Sequence, residues 1–351
     1  MSSYLRVQPK TAPADKKLVP FEVPQDLGGA SLDAVVRTAF GLTWGRARDL
    51  VRRGKVAVDG KTLTDPVRRV RMGSKVSLDL AARNTRTIAT DLPEGAIVHL
   101  DPHVIVVDKP SGISTVPFDP DGMGASIAKR SQPGEEATLD ERVRSVLARR
   151  EKAHGGKGNA PPSLGIVHRL DKETSGLVVF TRTWTAKKSL MTEFRSHTVH
   201  RRYFAIVHGE AQSGTIRTNF VEDRGDGLRG SIEHRGGRKK PIGTERSLLA
   251  VTHFEVVEKL HSPAFGACTL ISCRLETGRT HQIRIHLSEA GHPVVGERVY
   301  IRGFRGTVVP AGRLMLHAAE LGFVHPATNE EMRWSSPLPD DMEAILASLR
   351  G

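Results

Sequence analysis

The stretch GIVHRLDKETSGLVVF, from Gly165 to Phe180, sets one carboxylate among cations. Asp171 stands between Arg169 and Lys172, close to His168, Thr174, Ser175 and Gly176. A carboxylate held in its ionised form can attack an electrophilic carbon or remove a proton. The plainer reading is an acid that closes a turn, a common use of Asp. The flanks decide how firmly it is held. LGIV precedes the turn and GLVVFTRT (176–183) follows it, so the pattern predicts a loop between two strands, where a sheet fixes a reactive group.

Two further segments carry candidate chemistry. VHRRYFAIVHGE (199–210) alternates Tyr203, Ala205 and Val207 with Phe204, Ile206 and His208. This predicts a strand with one face wet or lining a site, against the ordinary use of a strand Tyr at a core rim. LETGRTHQIRIHLSEAGHPVVGERVY (275–300) places Arg279 directly after a Thr277-Gly278 turn, and HQIRIHLSEAG reads as a helix ended by Gly291. On that helix His281, Arg284 and Ser288 share one face. His168 and His281 read as supporting or packing groups rather than acid–base catalysts. Neither HExxH, GxSxG, a P-loop nor a strand-linked GxGxxG occurs, and His281 and His286 are badly spaced for a metal on a helix. Cys268 and Cys273 fit no zinc spacing and read as thiols in a reducing cytoplasm.

Composition narrows the partner. With 351 residues and 38% hydrophobic content, the chain can bury the core of one large or two modest domains. Lys and Arg exceed Asp and Glu by 13, which favours a polyanion, nucleic acid or an anionic membrane surface. No apolar run approaches the roughly 20 residues of a membrane span, no secretory h-region is visible, and no amphipathic anchor appears. A nucleic acid is the expected partner, and no assembly helix argues against a monomer.

The elements around the candidate residues fall into regions. Residues 1–27 read as a flexible arm and 28–85 as a small α+β unit. In that unit Ser31 caps SLDAVVRTAF (31–40), and Thr43 caps TWGRARDLVRRG (43–54). KVAVDGKTL forms a hairpin at Asp59-Gly60, and KVSLDL (75–80) adds a strand. Arg46, Arg48, Arg52 and Arg53 coat the second helix. Residues 86–95 form a linker. A larger region starts at 96, with VIVVDKP as a buried strand. Within it, 118–163 reads as a mobile polar insertion around a helix at 138–150, and 223–246 as a second, basic loop.

GIVHRLDKETSGLVVFTRT, RRYFAIVHG and TGRTHQIRIHLSEAGHPVVGERVY, in this order, resemble the signature, tyrosine and arginine motifs of the RluA-type pseudouridine synthases. VVDKPSGIS, RLMLHAAELGFVHP and WSSPLP resemble other strands of that family, so the likeness spans about 96–345. GRARDLVRRGKVAVDGK resembles the S4 RNA-binding module. The resemblance implies an α+β fold, a catalytic domain with a mixed, mainly antiparallel central sheet plus a small S4-like domain. It implies that Asp171 is the nucleophile, that Arg169 fills the space of a flipped base, that Tyr203 stacks on uracil, and that Arg284 forms an ion pair with Asp171. It implies no metal, nucleotide or organic cofactor. His168, Lys172 and Arg279 are the expected further substrate contacts, and Arg46, Arg48, Arg52 and Arg53 the expected RNA contacts. Such an Arg partner favours the ionised acid and can orient it by bidentate hydrogen bonds. A closed apolar floor must retain the freed uracil, supplied by Val178 and Val179 or by Ile283 and Ile285. The expected substrate is structured RNA, large-subunit ribosomal RNA first and tRNA second; a non-catalytic RNA binder on the same fold is the alternative. Ser114-Thr115 after DKPSG-Ile113, and Glu297 after Gly296, depart from the family pattern.

Overall fold

A computed structural model describes residues 20–82, 92–117, 136–153, 162–224, 226–234 and 247–350, apart from the side chain of Arg52. They fall into two compact units.

The first unit holds β1 (Phe21–Glu22), α1 (Leu32–Phe40), α2 (Trp44–Arg52), β2 (Val56–Val58), β3 (Lys61–Thr62) and β4 (Lys75–Leu78). The strands form an antiparallel sheet in the order β1-β4-β2-β3. Ser31 precedes α1, but its hydroxyl bonds to the Asp33 carboxylate and caps no amide. Thr43 does cap α2, accepting from the Arg46 N–H. Asp59 and Gly60 both take positive φ, as a two-residue hairpin turn requires. The apolar sides of the helices, with Leu32, Val36, Leu50 and Val51, pack on Val56 and Val76 of the sheet. The expected arm is too long. Phe21 pairs with Val76 and Val23 is buried, so 21–27 belongs to the folded unit. Residues 1–19 and most of the expected linker lie outside the described residues.

The second unit follows with β5 (Ile97–Leu100), β6 (Val104–Lys109), α3 (Leu139–Ala153), β7 (Gly165–Ile166), β8 (Ser175–Thr181) and α4 (Trp184–Ser196). Then come β9 (His200–His208), β10 (Gly214–Val221), β11 (Gly230–Ser231), β12 (Leu248–Ser262) and β13 (Gly266–Leu275). The unit ends with α5 (Gln282–Glu289), β14 (Leu316–Val324), β15 (Glu331–Ser335) and α6 (Asp340–Arg350). One eleven-stranded sheet runs β11-β10-β12-β13-β9-β14-β8-β6-β5, with β15 added on β14 and β7 on β8. Among the described strands only β8 and β14 pair in parallel, so the sheet is mixed and mainly antiparallel, as the sequence led us to expect.

Two expectations change. β9 lies mid-sheet between β13 and β14, and Ala205, Ile206, Val207 and His208 are all buried. The face is therefore not wet beyond the half-buried Phe204, and the site-lining alternative holds for Tyr203. The helix of the insertion is not an excursion. Leu139, Val143 and Leu147 of α3 join the main core, and the Leu139 N–H donates to the Ser114 carbonyl. Residues 118–135 and 154–161, and 225 and 235–246 of the basic loop, lie outside the described residues. Cys268 and Cys273 are both buried on β13 as free thiols, and burial pushes Cys273 up to about 12. No described helix is long and apolar enough to cross a membrane.

Gly176 shows what the parallel pairing demands. Its φ is +112°, and a Cβ there would sit 2.2 Å from the Ala318 carbonyl oxygen. Both facts exclude a side chain where β8 meets β14, just after the Asp171 loop. Gly176→Ala is expected to destabilise the protein by roughly 3–5 kcal/mol, read as a fall in the urea midpoint.

Candidate active site

Asp171 lies in the loop between β7 and β8, and that loop is held mainly by its backbone. The Leu170 carbonyl accepts from Thr115 Oγ1 (2.7 Å), and the Leu170 N–H donates back to the same oxygen (3.1 Å). The Lys172 carbonyl accepts from the Gly112 N–H (2.8 Å), and the Glu173 carbonyl from Ser111 Oγ (2.7 Å). Lys109 completes the cradle. Its ammonium is wholly buried and donates to the carbonyls of Pro110, Ile113 and Lys172 at 3.0–3.1 Å. Burial pushes Lys109 down to about 7, although Asp171 and Glu173 pull the other way. The DKPSGIST turn is therefore the fastening of the acidic loop. Thr115, within the stretch that departs from the family pattern, is one of its two-way links.

The other side of Asp171 comes from the TGRTHQ turn and α5. Gln282 pins this turn: its Oε1 accepts from Thr277 Oγ1 and the Arg279 N–H, and its Nε2 donates to the Val251 carbonyl and Thr252 Oγ1. His281 precedes the helix with φ +57°, so helical spacing is not what unites it with Arg284. Both nevertheless converge on one carboxylate. His281 Nε2 is 3.9 Å and Arg284 Nη1 3.8 Å from the oxygens of Asp171.

The bidentate bond of Arg284 goes elsewhere. Its Nε and Nη2 donate to Glu297 at 2.7 and 2.8 Å, within the protein interior. The expected bidentate clamp on Asp171 is thus corrected to a close charge pair beyond hydrogen-bond length. Burial opposes the charge on Arg284, but the hydrogen bonds and charge of Glu297, with Asp171 adding, raise its pKa overall. Burial would raise Glu297, yet Arg284 and the amides of Val299 and Tyr300 hold it below the usual carboxylate range. Gly296 makes this possible: at φ +82°, its Cβ would lie 1.8 Å from the Arg313 carbonyl oxygen. Tyr300 closes the cluster. Its ring centre is 5.3 Å from the Arg284 guanidinium, and its hydroxyl meets His281 Nδ1 at 2.7 Å. Burial pushes Tyr300 up to about 12 and lowers His281, so a neutral imidazole faces Asp171 at neutral pH.

Asp171, Arg284 and Tyr203 line one cleft of about 470 Å³. Tyr203 comes from β9 and is buried, which raises its hydroxyl pKa. Of the four apolar floor candidates, only Ile283 lines the cleft; Leu170 and Leu316 join it. Val178, Val179 and Ile285 are buried in the packing instead. Arg169 is exposed on the cleft, and Arg279 lines it while donating to the Leu249 carbonyl. His168 accepts the Val179 N–H at Nε2 and stacks on Phe194. Burial pushes it down to about 3, so it is a neutral strut. Lys172 is exposed and does not line the cleft. In the first unit, Arg48 pairs with Asp33 at 2.7 Å, and Arg46 and Arg53 with Asp49.

Sequence reasoning passed over Glu297 and Lys109 as participants. Each left a signal: an acid directly after a glycine in the arginine motif, and a lysine closing an otherwise apolar strand. Tyr300 left none beyond its place in that motif.

Residues 103–289 match the family described as RNA pseudouridylate synthase. The chain belongs to that family. The synthase is 31% identical to ribosomal large subunit pseudouridine synthase D of Xanthomonas campestris over 96% of its own length and 94% of the relative's. It is 34% identical to the same-named protein of Pseudomonas aeruginosa (94% and 95% covered) and 33% identical to an uncharacterised RNA pseudouridine synthase of Bacillus subtilis (88% and 90%). Human RNA Pseudouridylate Synthase Domain Containing 4 shares the fold, with a TM-score of 0.52 at 23% identity over 73% of this chain and 93% of that one.

Two outcomes test this electrostatic frame. Glu297→Leu strands a buried guanidinium and is expected to cost about 3–5 kcal/mol of stability, read by urea unfolding. Lys109 has a folded pKa near 7 against about 10.4 unfolded, so between those values the unfolded chain binds the extra proton and stability rises with pH. Relative to Lys109→Met, the wild type should gain on the order of 2 kcal/mol between pH 7 and 9 in paired urea titrations.

Proposed function

We propose that this synthase converts specific uridines of large-subunit ribosomal RNA to pseudouridine, with Asp171 as the nucleophile. The observation that carries the reading is the convergence of Asp171, Arg284 and Tyr203 in one cleft. The names of the bacterial relatives support the ribosomal target.

The chemistry breaks the bond from uracil N1 to ribose C1′ and joins C5 to C1′ in its place. The uridine first leaves its stack, which costs a few kcal/mol. Arg169 at the rim fills the vacated space, and the Tyr203 ring receives the base. The Asp171 carboxylate attacks C1′ as the bond to N1 breaks; C5 of the turned uracil then bonds to C1′, displacing the carboxylate, and gives up its proton while N1 takes one up. The cation of Arg284 stands beside the carboxylate throughout. The cleft, with Ile283 and Leu316 beneath, holds the freed uracil while it turns. Arg279 and Lys172 meet phosphates.

The first unit acts as an S4-like RNA-holding module. Two helices on a small sheet support that assignment, as does the exposed Trp44, with the guanidinium groups of Arg37 and Arg48 4.8 and 5.7 Å from its ring. Arg46, Arg48, Arg52 and Arg53 are its proposed contacts.

Unmodified ribosomal RNA incubated with wild type should gain pseudouridine, while Asp171→Asn should make at least about a thousandfold less and still bind. Cells lacking the synthase should lose pseudouridine at loop or junction uridines of large-subunit rRNA. A loss confined to tRNA would move the target there, and RNA binding without pseudouridine from either protein would end the enzymatic assignment.

A further inference from the structure

Among the described residues, two buried side-chain polar atoms lack a hydrogen-bond partner, Thr174 Oγ1 and Arg201 Nε. Both residues line the catalytic cleft. Arg201 is the more telling, because it brings a charge. It is only 8% exposed. Its one hydrogen bond, from Nη2 to the Leu275 carbonyl, is long at 3.4 Å. Its guanidinium lies 5.4 Å from the centre of the Phe194 ring.

Asp171 lines the same cleft but lies nearest Arg284 and His281. Glu320, opposite β9, takes His200, Arg202 and Arg333; Glu276 takes His253; Glu297 takes Arg284. No ion pair among the described residues includes Arg201. A guanidinium buried without a counter-charge lowers stability, and an apolar side chain of similar size would serve the fold better. An anion entering the cleft would supply the close partner that the described residues do not.

Position indicates which anion. Arg201 and Tyr203 lie two residues apart on β9, on the same face and so roughly 7 Å apart. Tyr203 lies beside Asp171 in the cleft, so Arg201 is about one nucleotide unit from the reacting centre. The exposed Arg169, Arg195 and His197 line the same cleft and give a polyanion a cationic approach. Uracil and ribose are neutral; the phosphodiester is the one charged part of RNA. We propose that Arg201 is a phosphate clamp inside the cleft, binding the backbone phosphate beside the flipped uridine and setting how deeply that nucleotide enters.

This rests on the chain acting on uridine in RNA. It is tested with a short RNA carrying the mapped target uridine, made with natural phosphates or with a neutral methylphosphonate on one or the other side of that uridine. For wild type, one of the two replacements should raise KM roughly ten- to hundredfold with kcat little changed. Arg201→Gln should raise KM on the natural RNA by a similar factor and be indifferent to that replacement. Its slope of log affinity against log salt should be shallower by about 0.7. The free enzyme should be no less stable as Arg201→Met, since no internal ion pair is lost, the bond to Leu275 is long, and an apolar side chain can still pack on Phe194. Independent, multiplying losses from Arg201→Gln and the methylphosphonate would overturn the clamp, and so would a lower urea midpoint for Arg201→Met. Wild type that makes no pseudouridine on the natural RNA would overturn the enzymatic reading instead.

Discussion

The loop that bears Asp171 is fastened by its own main chain. Carbonyls of Leu170, Lys172 and Glu173 are taken up by Thr115, Gly112, Lys109 and Ser111, and the buried ammonium of Lys109 binds the turn to the loop. A backbone fixed in this way places the carboxylate without using it. Among the described residues, no protein group hydrogen-bonds the Asp171 carboxylate, whose nearest cations stand 3.8 and 3.9 Å away. The arrangement needs a lysine wholly out of water, which burial alone would disfavour. Three carbonyl acceptors and the nearby acids make it tolerable.

The large sheet brings the parts together. β8 carries the end of the acidic loop, β9 brings Tyr203 and Arg201, and the turn after β13 leads into α5 with Arg284. These segments lie far apart in the chain and meet because β8, β14, β9 and β13 are neighbours. The parallel contact of β8 with β14 is the tightest place in that order, and Gly176 is the residue that permits it. The cleft is thus a property of strand order as much as of any motif.

Much of this was legible in the residues. Loop and strand around Asp171, the strand of Tyr203 and the helix of Arg284 follow from apolar periodicity and from Gly stops, which are local. The likeness of three ordered motifs to one family pointed to Asp171, Tyr203 and Arg284, which the fold brings into one cleft. Partner choice was not legible. Arg284 has two acids within reach, and only the φ of Gly296 and the path of the following residues aim Glu297 at its fork. His281 looked helical by spacing but sits ahead of the helix in a left-handed conformation that no periodicity reports. α3 looked like part of a mobile insertion because its surroundings are rich in Gly and Pro. Its burial depends on Leu139, Val143 and Leu147 finding the distant main core.

Glu297 matters most once the reaction is under way. If Asp171 becomes an ester, its negative charge vanishes for the lifetime of the adduct. A guanidinium balanced by that carboxylate alone would then be stranded in a low-dielectric pocket, and the adduct would be penalised by several kcal/mol. Here a permanent counter-ion stays on the far side of Arg284. On that covalent route the site would pass between charged and esterified states without its interior alternating between neutral and unbalanced.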